Sequence, residues 1–171
     1  MVQWKGEKIM AINIYISKSK AANPDVIIAT KKAIKEHSID IVILEYAGGQ
    51  YNPDLKYKGD FCITIPPGNV HVENGVQSVM LGRGGYDETE LMEKAGKKVG
   101  IILLEKGQDP LDWKNLKIGI PVEYVETREN YQVNWGIITI SKEMSIDEFL
   151  SGNSKKESDN YSDDELDELF V

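Results

Sequence analysis

The sequence predicts an α/β domain, a mainly parallel sheet with helices that ends in an antiparallel hairpin and an acidic tail. Three observations carry this. Short runs rich in branched apolar residues, such as Ile-Val-Ile-Leu at 41–44, suit strands and are too short for buried helices. The first two runs are separated by a segment with the chemistry of a helix start. Beyond residue 117, two long β-rich runs follow each other with only a short polar connection.

In chain order, Ile9 to Ser17 reads as the first strand. Asn23, Pro24 and Asp25 then supply an N-cap, a proline at the first helical position and a first-turn acid, so a helix is expected to run to about His37. Lysines near its end complement the helix dipole. Asp40 to Tyr46 contains Ile-Val-Ile-Leu, a continuous apolar run suited to a parallel strand covered on both faces, completing a βαβ unit. Residues 47–59 carry the turn formers of a long loop, and Phe61 to Ile65 is a short strand closed by Pro66 and Pro67. Val76 to Leu81 (strand), Asp87 to Ala95 (helix stopped by Gly96) and Val99 to Leu104 (strand) make a second strand, helix, strand unit. Ile118 to Glu126 and Val133 to Ser141 form the hairpin, because six connecting residues are too few for a crossover. Met144 to Leu150 has room for one or two helical turns. Residues 1–152 are thus expected to form one Rossmann-like α/β domain.

The chain has 171 residues, 41% of them apolar, enough for one core, and a net charge of −8. Residues 153–171 hold seven acids and two lysines, net −5, which leaves −3 of the total for the rest. An acidic chain gains nothing from counterion release on a phosphate backbone, so duplex nucleic acid is not an expected partner. Lys31, Lys32 and Lys35 are read as a solvated helix face. Cys62 is the sole cysteine, which excludes an intramolecular disulfide and a multi-cysteine zinc site and points to a reducing compartment. No apolar run approaches the ~18 residues of a membrane span and the start lacks a signal-peptide core, so the expected location is cytoplasmic.

The candidate chemistry centres on Leu-Gly-Arg-Gly-Gly-Tyr-Asp-Glu-Thr-Glu, 81–90. Where a buried strand meets a helix start, the free N–H groups of the first turn favour an anion, and glycine permits close approach. Gly82, Gly84 and Gly85 meet that condition and Arg83 adds a fork suited to phosphate or carboxylate. Asp87, Glu88 and Glu90 oppose it as first-turn acids. The string is neither G-x-G-x-x-G nor a P-loop. A glycine turn required only by backbone geometry is the competing reading. Glu45 and Tyr46, at the carboxyl end of the second strand, are candidates for the same crevice as Arg83, Gly84, Gly85, Tyr86 and Asp87.

Gly-Gly-Tyr at 84–86, followed by Ala-Gly-Lys-Lys-Val-Gly-Ile-Ile-Leu at 95–103, resembles a segment of the SLOG-type nucleotide-binding Rossmannoid proteins. That group includes cytokinin-activating phosphoribohydrolases and is similar to the nucleoside 2-deoxyribosyltransferases. The opening Ile-Asn-Ile-Tyr-Ile-Ser resembles their first strand. The resemblance implies a nucleotide ligand and a carboxylate supporting N-glycosidic bond chemistry. The phosphoribohydrolase pattern Gly-Gly-x-Gly-Thr-x-x-Glu is not kept: Asp87 and Glu88 replace its glycine and threonine, and Leu91 stands at its catalytic glutamate. Glu88 or Glu90 substitutes only if the helix register shifts, so no catalytic residue is assigned.

His37 and His71 have no helical His or Cys partner, and neither a metal nor a cofactor is expected. Tyr46, Tyr51 and Tyr57 interleave with Lys56 and Lys58, a pattern shared by single-strand stacking surfaces and by loops packed on their own domain. In the tail, Ser162 and Glu165 form a capping box, Tyr161 and Leu166 a hydrophobic staple, and Leu166, Leu169 and Phe170 fall on one helical side. So short a helix is expected to order only on a partner. It resembles the acidic, Phe-ending tails by which single-stranded-DNA-binding proteins recruit partners, and the recruiting role is carried over to these three residues. The expected function is therefore binding of a nucleotide-like or anionic small ligand, with a partner-recruiting tail. Two alternatives stay open: a non-catalytic interaction factor, such as a viral or mobile-element accessory protein, and an N-glycosidic bond hydrolase or transferase.

Overall fold

The computed structural model describes residues 11–38, 40–45, 55–129 and 132–152, with the backbone alone at 55, 127–129 and 132–134. Within these, β1 (Ile12–Lys18), α1 (Pro24–His37), β2 (Ile41–Leu44), a 3-10 turn (Leu55–Lys58), β3 (Phe61–Ile65), β4 (His71–Glu73), β5 (Val76–Gly82), α2 (Arg83–Lys94) and β6 (Lys98–Leu103) follow in order. A second 3-10 turn (Trp113–Asn115), β7 (Lys117–Glu129), β8 (Gln132–Ser145) and α3 (Ile146–Ser151) complete the set. The strands form one eight-stranded sheet in the order β2-β1-β3-β6-β7-β8-β5-β4.

The parallel half is β2, β1, β3 and β6. Strand alternation sorts its side chains: Ile14, Ile16, Phe61, Ile63 and Ile65 pack under α1, while Tyr15, Cys62 and Val99 meet Met92 of α2. The helices therefore cover opposite faces. Asn23 caps α1 as its sequence predicts, accepting a hydrogen bond from the Asp25 amide at 2.8 Å. The expected hairpin is present as β7 and β8, and Ser145 caps the expected last helix.

Three elements differ from the sequence reading. β2 is the sheet edge and not a doubly covered strand; Val42 is 43% exposed. β4 was not foreseen, although Asn74-Gly75 joins it to β5 with positive φ at both residues, the turn that two-residue hairpins favour. The second strand, helix, strand unit is not a parallel neighbour pair: β5 is antiparallel to β8, and the crossover that β6 completes starts at β3. The β4–β5 hairpin and α2 are both parts of that connection.

This arrangement needs a coiled sheet. β3 and β5 are four strand spacings apart, about 19 Å if the sheet were flat, yet their ends line one cleft with Thr64, Ile65, Leu81 and Gly82. The register shifts in the long hairpin, at Ile120 to Glu123 and at Thr127–Arg128, are where extra residues sharpen strand twist. Inside the curve Val79, Leu81, Tyr86, Ile101, Leu103, Ile138 and Ile140 form a second core cluster. Tyr86 lies directly over Gly136: a Cβ there would stand 2.1 Å from the Tyr86 ring. Gly136→Ala should therefore lower the free energy of unfolding by about 1–3 kcal/mol through overpacking, measured by urea denaturation. A change below the error of that measurement would refute the close approach.

Candidate functional site

A cleft of about 570 Å³ opens at the carboxyl ends of β1 and β3 against the start of α2. The sheet order reverses at β1: the chain leaves it for β2 on one side, then resumes at β3 on the other. In open α/β sheets the crevice beyond the strand ends at such a reversal is the recurring ligand position. Ser17 to Lys20 supply one wall, Thr64 and Ile65 the floor, and Gly82, Gly84, Gly85 and Glu88 the other wall.

The chain builds α2 so that its glycines belong to the helix. Gly82 is the N-cap, Arg83 the first helical residue, and no acid falls in the first turn. This corrects the expected start at Asp87 and removes the objection that Asp87, Glu88 and Glu90 cap it. Gly85, Glu88, Thr89 and Met92 recur at helical spacing toward the sheet. Met92 is fully buried, and the Thr89 hydroxyl bonds both Thr64 Oγ1 and the Gly85 carbonyl at 2.7 Å. At about 1 kcal/mol per satisfied buried hydrogen bond, this network helps fix α2 against β3. Glu88 then points at β1, where Tyr15 Oη donates to its Oε2 at 2.7 Å and Ser17 Oγ to its Oε1 at 2.6 Å.

The seven ligand candidates separate. Gly84 and Gly85 line the cleft, and outside its chain neighbours and its own helix backbone nothing lies within 4 Å of a Cβ placed at Gly84. Arg83 and Asp87 are exposed and do not line it. Tyr86 is 1% exposed, edge-on to Tyr124 at 6.0 Å, so its ring serves the core. Glu45 bonds Lys18 and Lys31; partial burial pushes its pKa up, but the two lysines outweigh this and hold it below the usual value. It acts on the cleft through Lys18, which lines the rim. Tyr46, Leu166, Leu169 and Phe170 lie outside the described residues. Ser17 and Lys18 were not among the candidates, although the strand-end rule applied to β1 as it was applied to β2 would have found them, and Glu88 was named only as a stand-in catalytic carboxylate.

The remaining sequence candidates are placed elsewhere. His37 Nδ1 meets Asp147 Oδ1 at 2.5 Å, and His71 lies 3.4 Å from Glu73. Among the described residues no group of His, Cys, Asp and Glu could hold a metal, and no helix is long and apolar enough to cross a membrane. Tyr57 is 43% exposed with the Lys56 ammonium 5.2 Å from its ring centre.

No family model matches the chain. A release factor glutamine methyltransferase of Aquifex aeolicus (strain VF5) is similar, 27% identical over 146 residues, covering 70% of this chain. The chain spans about half the length of that curated relative, 52%.

Cys62 lies behind the cleft, fully buried, and burial pushes its thiol from 9.0 up to about 12, with the Glu88 charge adding to the rise and a hydrogen bond with Thr64 opposing it. Above pH 9 the unfolded chain sheds this proton while the folded chain keeps it, so stability should fall as pH rises toward 12. Tyr86, pushed up to about 12 by burial and then by Glu90, Glu126 and Asp87, adds to the same slope. Urea midpoints measured across this window should decline, and less steeply in Cys62→Ala. A slope unchanged by that substitution would show that the thiol contributes nothing.

Proposed function

We propose that the cleft binds a nucleotide-like small ligand, with its anionic group at the start of α2 and its remaining polar groups toward Ser17 and Glu88. In this reading the parallel half is Rossmann-like in plan. One observation carries it: the carboxyl ends of β1 and β3 and the first turn of α2 line one cleft. Three further features support it. The N-cap and the second and third helical residues are Gly82, Gly84 and Gly85, so N–H groups are approachable; Lys18 and Lys20 place positive charge on the facing wall; and no first-turn acid opposes an anion. Glu88, one turn further, suits hydroxyl donors better than phosphate, which favours a ligand with a sugar next to its charge. Leu166, Leu169 and Phe170 of the acidic tail are the proposed partner contacts.

A second reading, N-glycosidic bond hydrolysis or transfer, is favoured by the clamp on Glu88. A carboxylate held by two hydroxyl donors inside a cleft is oriented for attack on, or charge stabilisation of, a sugar carbon. The activity named for the relative, methylation of a release factor glutamine, enters as a third assay, since any such transferase needs a small-molecule donor site.

Calorimetric titration with nucleosides and nucleoside mono-, di- and triphosphates tests the first reading. Binding is expected for at least one phosphorylated member, weakened at least tenfold by Lys18→Ala and by Gly85→Val; no heat and no thermal shift with any member would sink it. Glu88→Gln separates the readings. Release of free base by the wild type, lost in the variant while binding persists, supports glycosidic chemistry, whereas wild-type binding with no base released or exchanged removes it. Gly84→Ala should weaken binding while the fold stays as stable or gains up to about 1 kcal/mol of helix propensity, so a loss of stability would contradict the open space at that position.

A further inference from the structure

Along the carboxyl half of α1, a groove of about 260 Å³ runs between α1, the Trp113 turn and the start of α3. Its floor is apolar, with Ala33, Leu116, Ile146 and the Trp113 ring. Two ammonium groups stand over that ring, Lys32 at 5.5 Å and Lys114 at 5.7 Å from its centre. Among the described residues neither lysine has a carboxylate within ion-pair distance. Asp147 also lines the groove but is engaged by His37. Glu36 is the one lining carboxylate outside an ion pair and opposes an acidic occupant.

We infer that this groove docks the chain's own segment 162–171, with Phe170 and Leu166 or Leu169 on the Trp113 floor and its acids toward Lys32 and Lys114. The inference deepens the reading of the tail as a recruiting element and rests on it. Composition, reach and linkage choose this occupant. The segment combines three large apolar residues with Asp163, Asp164, Glu165, Asp167 and Glu168, complementary to an apolar floor with a cationic rim. Reach is ample: α3, six residues or about 9 Å long, carries the chain from the groove's edge at Ser145–Asp147 to Gly152, and residues 153–161 span up to about 30 Å more. Linkage also makes the contact intramolecular, at an effective concentration on the order of millimolar, so even a weak contact is populated.

The competing surfaces fit less well. The outward row Met80, Ile137 and Val125, in lateral register across β5, β8 and β7, is apolar but flanked by Glu123. The cleft described above holds Glu88, and its Lys18 is already paired with Glu45. A tail docked on the Trp113 groove hides its recruiting side chains until a partner competes for them.

A nitroxide at Glu168→Cys in the full chain tests this, with buried Cys62 left in place. Amides of 33–37, 113–116 and 145–147 should lose more than half their signal, and those of 78–80 should not. The loss should fade in Lys32→Glu/Lys114→Glu, in Leu166→Ser/Phe170→Ser and in high salt, and deepen in Glu36→Gln, an exposed position whose change leaves the fold intact. No broadening, broadening centred elsewhere, or a pattern indifferent to the charge reversal would overturn the proposal. So would the same pattern arising between spin-labelled and isotope-labelled chains in a mixed sample, which would indicate a second copy. A pull-down lost on deleting residues 157–171, with no broadening at the groove, would leave recruitment standing and self-docking refuted.

Discussion

The closeness of α2 to the sheet is the constraint from which the rest of the molecule follows. Gly136 lets the Tyr86 ring lie on β8, and Thr64 with Thr89 tie the next turn to β3. Held by those two anchors, the first turn of α2 lies over the ends of β1 and β3. A larger residue at 136 would lift the helix start away from the strands, and Glu88 would lose Tyr15 and Ser17 together. The position of the cleft therefore depends on a residue in the antiparallel half, although its walls come largely from the parallel half.

Much of the fold was legible because local chemistry and global pattern agree. Phe61 to Ile65 is a strand closed by two prolines, and Asn23-Pro24-Asp25 starts a helix, since neither context admits a competing conformation. The hairpin of β7 and β8 was readable from its short connection, though not its full length: the strands extend to Glu129 and Ser145, beyond the β-rich runs that mark them in the sequence. β4 escaped notice: three exposed residues give no periodicity, and only Asn74-Gly75 announces them. The pairing of β5 was illegible for a deeper reason. Strand, helix, strand in sequence implies a parallel neighbour only while the sheet is roughly flat, and nothing local encodes the coil.

The site shows the same division. Gly84 and Gly85 were visible as a place where backbone is approachable. Their role depends on whether they precede the helix or begin it, and glycine's poor helix propensity argued for the former while packing of Thr89 and Met92 enforced the latter. Glu88 was read as a repelling acid, or as a stand-in catalytic carboxylate under a shifted register, and its clamp was illegible because its partners on β1 are 71 and 73 residues away. Tyr86 looked like a ligand contact because it follows the glycines toward the strand-end crevice of an open sheet; inside a helix that lies on Gly136 it is buried.

The two margins of the sheet have a consequence for how chains meet. β2 has four residues and β4 three, and both belong to the short end of strand lengths. Unpaired N–H and C=O groups along a margin are templates for another chain's backbone, and brevity limits how many bonds such a template can offer. β4 also carries the charged Glu73, and charge on a margin strand discourages pairing with another chain. An eight-stranded sheet could have been a strong nucleus for lateral stacking; among the described residues this one ends, on both sides, in strands too short to propagate.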